Sequence, residues 1–255
     1  MLSYLAEIFA FIFGICIGSF LNVCIYRLPA AKSIIHPRSM CFNCGNTIRF
    51  YDNIPILSYL WLSAKCRHCG APISIRYLLV ESMTGLFAVC VYLKFGFTLE
   101  AVIYFVFIAT LLVITFIDID HRIIPDIISI PGIPIFFLAS LSIQPYLDSL
   151  LGILSGGGIL YLVALAYSLL TKKEGMGGGD IKLLAMIGAL IGWKGVLFTI
   201  FVSSAAGTLS GLVIMILTRQ GMKLAVPFGP FLAVGAIAYI FVGPQLMEFY
   251  LQLFA

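Results

Sequence analysis

The stretch Leu99-Glu-Ala-Val-Ile-Tyr-Phe-Val-Phe-Ile-Ala-Thr-Leu-Leu-Val-Ile-Thr-Phe-Ile117 carries one charge, near its start, and is closed by Asp118-Ile119-Asp120. A helix crossing the hydrocarbon core needs about 20 mostly apolar residues, so this run has the length of a span. Working outward, similar runs cover 4–26, 78–95, 127–143, 147–170, 181–192, 196–217 and 227–252. The run 181–192 is too short to cross without tilt. Composition agrees: 62% of residues are hydrophobic and 10% charged, and the mean hydropathy is +1.11. Soluble domains carry about 45–50% apolar and roughly 25% charged residues, so a water-soluble globule is excluded, as are disordered, collagen-like and coiled-coil chains. The expected fold is an all-α polytopic bundle of about eight transmembrane helices. Its first span does not read as a signal peptide: Glu7 comes early and no basic segment precedes it.

Basic residues orient the bundle, because cytoplasmic loops collect Lys and Arg. With the N-terminus outside, the cytoplasmic side holds Arg27, Lys32, Arg38, Arg49, Lys65, Arg67, Arg76, Arg122, Lys172, Lys173, Lys182, Arg219 and Lys223. Only Lys94 and Lys194 fall opposite. An even number of spans then returns the C-terminus to the outside. Three parts are expected: a first transmembrane helix (1–26), a cytoplasmic loop domain (27–77), and a membrane domain (78–255).

The loop contains Cys41-Phe-Asn-Cys44-Gly45 and Cys66-Arg-His-Cys69-Gly70. Each pair lets two thiolates reach one ion, and the glycine relieves the tight turn behind them. Two such knuckles make a Cys₄ set, the usual structural zinc arrangement. Redox disulfides are the alternative, disfavoured in a reducing cytoplasm. A loop of ~50 residues has little apolar surface to fold around, so one zinc ion serves as its staple. The loop is basic, with Asp52 its lone acid. Such charge suits anionic lipid headgroups, and nucleic acid is not an expected partner. A basic peptide approaching the loop would need Asp52 and Glu81 to form a local acidic patch.

Acidic residues are scarce, eleven in all. Asp118, Asp120 and Asp126 cluster after the run 99–117, and Asp180 ends Gly175-Met-Gly177-Gly178-Gly179-Asp180 and opens another run. The topology brings Asp118 and Asp180 to one membrane face. Two carboxylates that meet can share a proton, one acting as base on water and the other protonating a carbonyl oxygen. The flanking glycines offer a backbone against which an extended substrate lies. Helix ends assign Asp180 as base and Asp118 as acid. An ion or proton pathway through the same aspartates stays open on chemistry alone. Asp126 reads as the N-cap of the run beginning at 127.

These motifs resemble a known family. Gly18-Ser-Phe-Leu-Asn22-Val with Arg27-Leu-Pro29, the two knuckles, Asp118-x-Asp120-x-x-x-x-Pro125-Asp126, and Gly-x-Gly-Gly-Gly-Asp180-x-Lys182 are similar in kind and order to the bacterial type IV prepilin leader peptidases/N-methyltransferases. The Gly-x-Gly-Asp element is shared with other intramembrane aspartyl proteases, which lack the cysteine loop. The resemblance implies that Asp118 and Asp180 are catalytic, and that Gly177, Gly178, Gly179 and Lys182 contact substrate. It implies cleavage of a prepilin or pseudopilin after glycine at the cytoplasmic face of the inner membrane. S-adenosyl-L-methionine would then methylate the new N-terminal residue. No soluble-methyltransferase signature is present. Asn22, Arg27 and Glu81 are the polar residues near the loop able to line that second site. A leader peptidase without methylation, or a proton-coupled transporter, are the alternatives. The chain is silent on oligomeric state and on the pilus, secretion or competence pathway.

Overall fold

A computed structural model of the chain describes residues 2–172, 177–218 and 227–254. Lys173, Gly175, Met176, Arg219 and Lys223, used above, lie outside the described residues. Among the described residues eight α-helices follow one another: α1 (Leu2–Arg27), α2 (Leu57–Trp61), α3 (Ile75–Phe95), α4 (Leu99–His121), α5 (Asp126–Ser140), α6 (Tyr146–Thr171), α7 (Gly178–Thr218) and α8 (Gly229–Phe254). Among the described residues, six helices are long and apolar enough to cross a membrane, and α5 is a shorter apolar helix.

Helix α7 is two helices. At 1.5 Å per residue, its 41 residues would stretch about 60 Å if unbroken, twice the hydrocarbon core of ~30 Å. The break falls at Gly192, whose φ of 72° and ψ of 178° suit only glycine. A β-carbon on Gly188 would lie 2.8 Å from Val196 Cγ2. Residues eight apart in a continuous helix are about 12 Å apart along the axis, so the chain doubles back here. The limbs 178–191 and 193–218 coincide with two of the apolar runs read from the sequence. With them the expectation of about eight apolar segments is borne out.

The chain forms two compact units, 1–113 and 114–255, with α4 running through both. In the first, α1 and α3 lie close because their contact is made of small residues. A β-carbon on Gly14 would sit 2.7 Å from Gly85 Cα, and one on Gly18 would sit 2.7 Å from Glu81 Cα. Lipid offers no hydrophobic drive between helices, so close backbone approach and van der Waals contact hold such pairs. The Ser74 hydroxyl accepts from Arg76 N–H at 3.3 Å and caps α3. At the end of α1, the Arg27 fork donates to Ser33 O at 2.9 Å and Pro37 O at 2.7 Å, holding the start of the loop.

In the second unit the first limb of α7 is buried nearly all round, with Leu183, Leu184, Met186 and Ile187 at 0% exposure. Gly152 of α6 and Gly188 of α7 are in backbone contact, each where the other's side chain would stand. The turn at Gly192 frees carbonyls from the helical ladder. Gln144 Nε2 donates to one of them, Leu190 O, at 3.0 Å, and Trp193 Nε1 donates to Asp148 Oδ1 at 3.2 Å.

Candidate active site and metal centre

Asp118 lies in the last turn of α4 with its side chain buried, and its Oδ2 accepts from the backbone N–H of Gly229, the first residue of α8, at 3.0 Å. Asp180 lies in the first turn of α7, half-buried and within electrostatic reach of Asp118. Ile124 locks the two together. A β-carbon on Gly179 would meet Ile124 Cβ at 2.9 Å, and one on Gly229 would meet Ile124 Cδ1 at 3.4 Å and Asp118 Oδ2 at 2.7 Å. The starts of α7 and α8, just beside Asp180 and in contact with Asp118, therefore both close on Ile124 of the α4–α5 connection. Gly229 is a site residue that sequence reasoning missed. Its one signal was Gly229-Pro230 heading the last apolar run.

The role assignment from helix ends counted only each aspartate's own helix. Asp118 also meets the N-terminus of α8, whose dipole favours a carboxylate there, so helix ends do not separate the two aspartates. Asp126 is corrected too. The N-cap of α5 is Pro125, without a side-chain cap, and both Asp126 oxygens accept from Lys182 Nζ at 2.8 Å. Of the glycines, Gly178 has open space around its α-carbon, and a β-carbon on Gly177 would meet nothing nearer than Asp180 Oδ2 at 3.8 Å. Among the described residues the backbone is open at Gly177 and Gly178, whereas Gly179, next to Asp180, packs on Ile124.

The cysteine knuckles are built alike. Cys41 N–H donates to Asn46 O and Gly45 N–H to Cys41 O, both at 2.9 Å; Cys66 N–H donates to Ala71 O at 2.8 Å and Gly70 N–H to Cys66 O at 2.9 Å. Gly45 and Gly70 take φ of 70° and 69° to complete the two turns. All four sulfurs lie within 4.8 Å of one another, and Cys41 Sγ and Cys69 Sγ are 3.8 Å apart. A tetrahedral ion with Zn–S bonds of ~2.3 Å has an S···S edge of ~3.8 Å. The four thiols could hold one zinc ion. The Ala71 and Asn43 donors bring the Cys69 thiol down to about 6, while desolvation and the neighbouring sulfurs push Cys44 up to about 11, so the case for an ion rests on the sulfur geometry. Arg67, between Cys66 and Cys69, grips Asp52 with two nitrogens at 2.6–3.1 Å, and the pair holds the Asp52 carboxyl below its usual range. With Asp52 engaged and Glu81 buried, the two form no exposed acidic patch.

Within the first unit a cavity of ≈ 690 Å³ opens between α1, α3 and the loop, and Asn22, Arg27 and Glu81 all line it. Its size is that of small-molecule sites. Asn22 donates through Nδ2 to Tyr77 O at 3.2 Å. Its buried Oδ1 has no partner among the described residues, which leaves an acceptor free inside the cavity.

Residues 12–95 match the bacterial peptidase A24 N-terminal domain, and residues 105–212 match the type IV leader peptidase family. A prepilin leader peptidase/N-methyltransferase of Pseudomonas aeruginosa is 35% identical over 283 residues, covering 99% of this chain and 98% of the relative. The chain belongs to the type IV leader peptidase family. Another member, the prepilin leader peptidase/N-methyltransferase of Aeromonas hydrophila, is 34% identical over 96% of this chain and 93% of its own. The protein of that name from Myxococcus xanthus is 38% identical over 85% of this chain and 65% of its own length. No solved structure matches. The family resemblance read from the motifs is therefore borne out, and the two matched regions divide this leader-peptidase chain within its α3–α4 connection.

Proposed function

We propose that this protein cleaves the leader from type IV prepilins or pseudopilins and then N-methylates the new N-terminal residue. The observation that carries the reading is the convergence of Asp118 and Asp180 around Ile124, beside the open strip at Gly177 and Gly178. Relatives of nearly equal length bear both activities in their names. An extended substrate lies along the strip with its scissile carbonyl between the carboxylates. One carboxylate takes a proton from water as the water oxygen bonds to the carbonyl carbon. The other gives its proton to the carbonyl oxygen, and proton return to the amide nitrogen accompanies breakage of the C–N bond. Gly229 N–H holds Asp118 in place throughout.

S-adenosyl-L-methionine supplies an electrophilic methyl group on a sulfonium. The cavity of the first unit is the methyl-transfer site, with Asn22, Arg27 and Glu81 among its polar lining and the Cys₄ zinc knuckles as the folded wall. The chain lies in a bacterial inner membrane with both termini outside and the aspartates facing the cytoplasm, a reading supported by the placement of Lys and Arg.

Intact mass spectrometry of a prepilin incubated with membranes holding the protein tests both steps, with and without S-adenosyl-L-methionine. Loss of the leader and gain of one methyl is expected, with cleavage abolished in Asp118→Asn and Asp180→Asn. Cleavage without methylation removes the second activity. Prepilins from several systems left untouched return the aspartates to a transport role.

A further inference from the structure

The cavity of the first unit is polarised. At its loop end stand Arg27 and Lys32, the latter with Nζ 5.7 Å from the Tyr26 ring centroid. At its membrane end stand two acceptors, Asn22 on α1 and Glu81 on α3. They sit five residues before the end of α1 and six after the start of α3, or about 7–9 Å inside the helix ends. Both are buried, at 3% and 6% exposure. Asn22 Oδ1 has no partner among the described residues. Glu81 Oε2 accepts from Ile56 N–H at 2.7 Å and the Ser19 hydroxyl also reaches its carboxylate, but both of these donors are neutral. A buried carboxylate is ordinarily paired with a cation or a shared proton. A buried amide oxygen without a donor and a buried carboxylate met only by neutral donors, on two helices that line one cavity, describe a receptor for an N–H-bearing cation.

We infer that Asn22 Oδ1 and Glu81 form the subsite for the acceptor, the new α-amino group of the cleaved substrate, while the cofactor lies toward Arg27 and Lys32. The inference deepens the methyl-transfer reading of this cavity and rests on it. Depth decides between the two occupants. The amine heads an apolar stem that arrives within the membrane, whereas a soluble cofactor with a carboxylate arrives from the aqueous loop, where the cations are. The amine enters as an ammonium, which cannot attack. In a site closed to water, an ammonium–carboxylate pair and its neutral amine–acid form are close in energy, so one proton passes to Glu81 and frees the lone pair. The nitrogen bonds to the methyl carbon as the C–S bond breaks with its electrons going to sulfur. The secondary ammonium so formed keeps its new methyl, and the proton on Glu81 returns to water when the product leaves.

The test is binding, separate from turnover. Protein in nanodiscs is saturated with S-adenosylhomocysteine and titrated with a synthetic apolar stem peptide beginning with Phe, as free amine and N-acetylated. Wild type should prefer the free amine by about tenfold. Glu81→Gln and Asn22→Ala should shrink that preference to about twofold while S-adenosylhomocysteine binds with unchanged affinity. A preference intact in both variants overturns the proposal. So does a tenfold loss of S-adenosylhomocysteine affinity with the amine preference kept, which hands the acceptors to the cofactor. A photoreactive group beside the peptide's amine, used on wild type, covers the case of a variant that does not fold. Crosslinks to residues 19–26 and 77–81 are expected, and crosslinks confined elsewhere overturn the assignment. Wild type that fails to bind S-adenosylhomocysteine brings down the underlying methyl-transfer reading, whatever the peptide does.

Discussion

Asp118 Oδ2 and the backbone N–H of Gly229 are joined by a 3.0 Å hydrogen bond across 111 residues of chain. The bond makes the start of α8 part of the aspartate site and fixes the rotamer of one carboxylate before substrate arrives. Pre-set geometry of this kind is what converts two carboxylates into an acid–base pair.

Gly229→Ala tests it. The added methyl would lie 2.7 Å from Asp118 Oδ2 and 3.3 Å from its Cγ, so the carboxylate must shift. A displacement near 1 Å lowers turnover by about 10²-fold. We expect prepilin cleavage to fall on that order, while methylation of an already cleaved pilin by the same membranes persists. Cleavage at the wild-type rate would show that the contact does not position Asp118.

The pair of Lys182 and Asp126 is exposed, with side-chain exposures of 39% and 57%. Exposed pairs contribute about 0–1 kcal/mol. Lys182→Met and Asp126→Asn should each lower stability within that range, and the double variant should lose no more than either alone. Unfolding in mixed micelles reads this directly. A rise in prepilin KM in Lys182→Met but not in Asp126→Asn would instead assign the ammonium to substrate.

At Gly192, a side chain must adopt a backbone region reserved for glycine, and its β-carbon would lie 3.0 Å from Gln144 Oε1. Gly192→Ala should destabilise the second unit by about 1–3 kcal/mol. Gln144→Leu, which leaves Leu190 O unmet, should act in the same direction. Thermal unfolding equal to wild type in Gly192→Ala would show that the turn is not strained.

Arg67 lowers the Asp52 carboxyl below its usual range. A carboxyl held lower in the folded protein stabilises fully above its unfolded value of ~3.9, and that stabilisation is lost as pH falls through the folded value. Asp52→Asn should therefore speed zinc release to a chelator throughout neutral pH, and the difference from wild type should close only on the acid side of ~3.9. Zinc release as slow as wild type's in Asp52→Asn at neutral pH would show that the Arg67–Asp52 pair does not support the knuckles.

Much of the bundle was legible because a membrane imposes one length and one period on every span. Gly192-Trp193-Lys194 punctuated an apolar tract too long to be one helix, and the two limbs on either side were read separately. The knuckles were legible from spacing alone, since thiolates that share an ion must be near in sequence or tied by a turn. The proximity of Asp118 and Asp180 followed from their being carboxylates at the same end of two spans. The Gly229 contact was not legible, because a backbone N–H has no side-chain signature and its partner lies 111 residues away. Asp126 misled for a local reason. Its place before an apolar run suits a cap, but Pro125 takes that position and the side chain turns to Lys182. The orphaned Oδ1 of Asn22 needed coordinates, since only packing shows which of its two polar atoms found a partner.

The doubling-back at Gly192 has a consequence for how the protein is made. The limb 178–191 rises only about 21 Å, less than the ~30 Å hydrocarbon core. It enters the bilayer together with 193–218, as one inserted hairpin. Asp180 is therefore anchored at the membrane surface only after synthesis has passed beyond the second limb, and the aspartate site is a late product of biogenesis. A chain stopped after Gly192 should leave residue 180 unanchored, which a cysteine placed there in a chain otherwise free of cysteine would report through its labelling by a membrane-impermeant reagent.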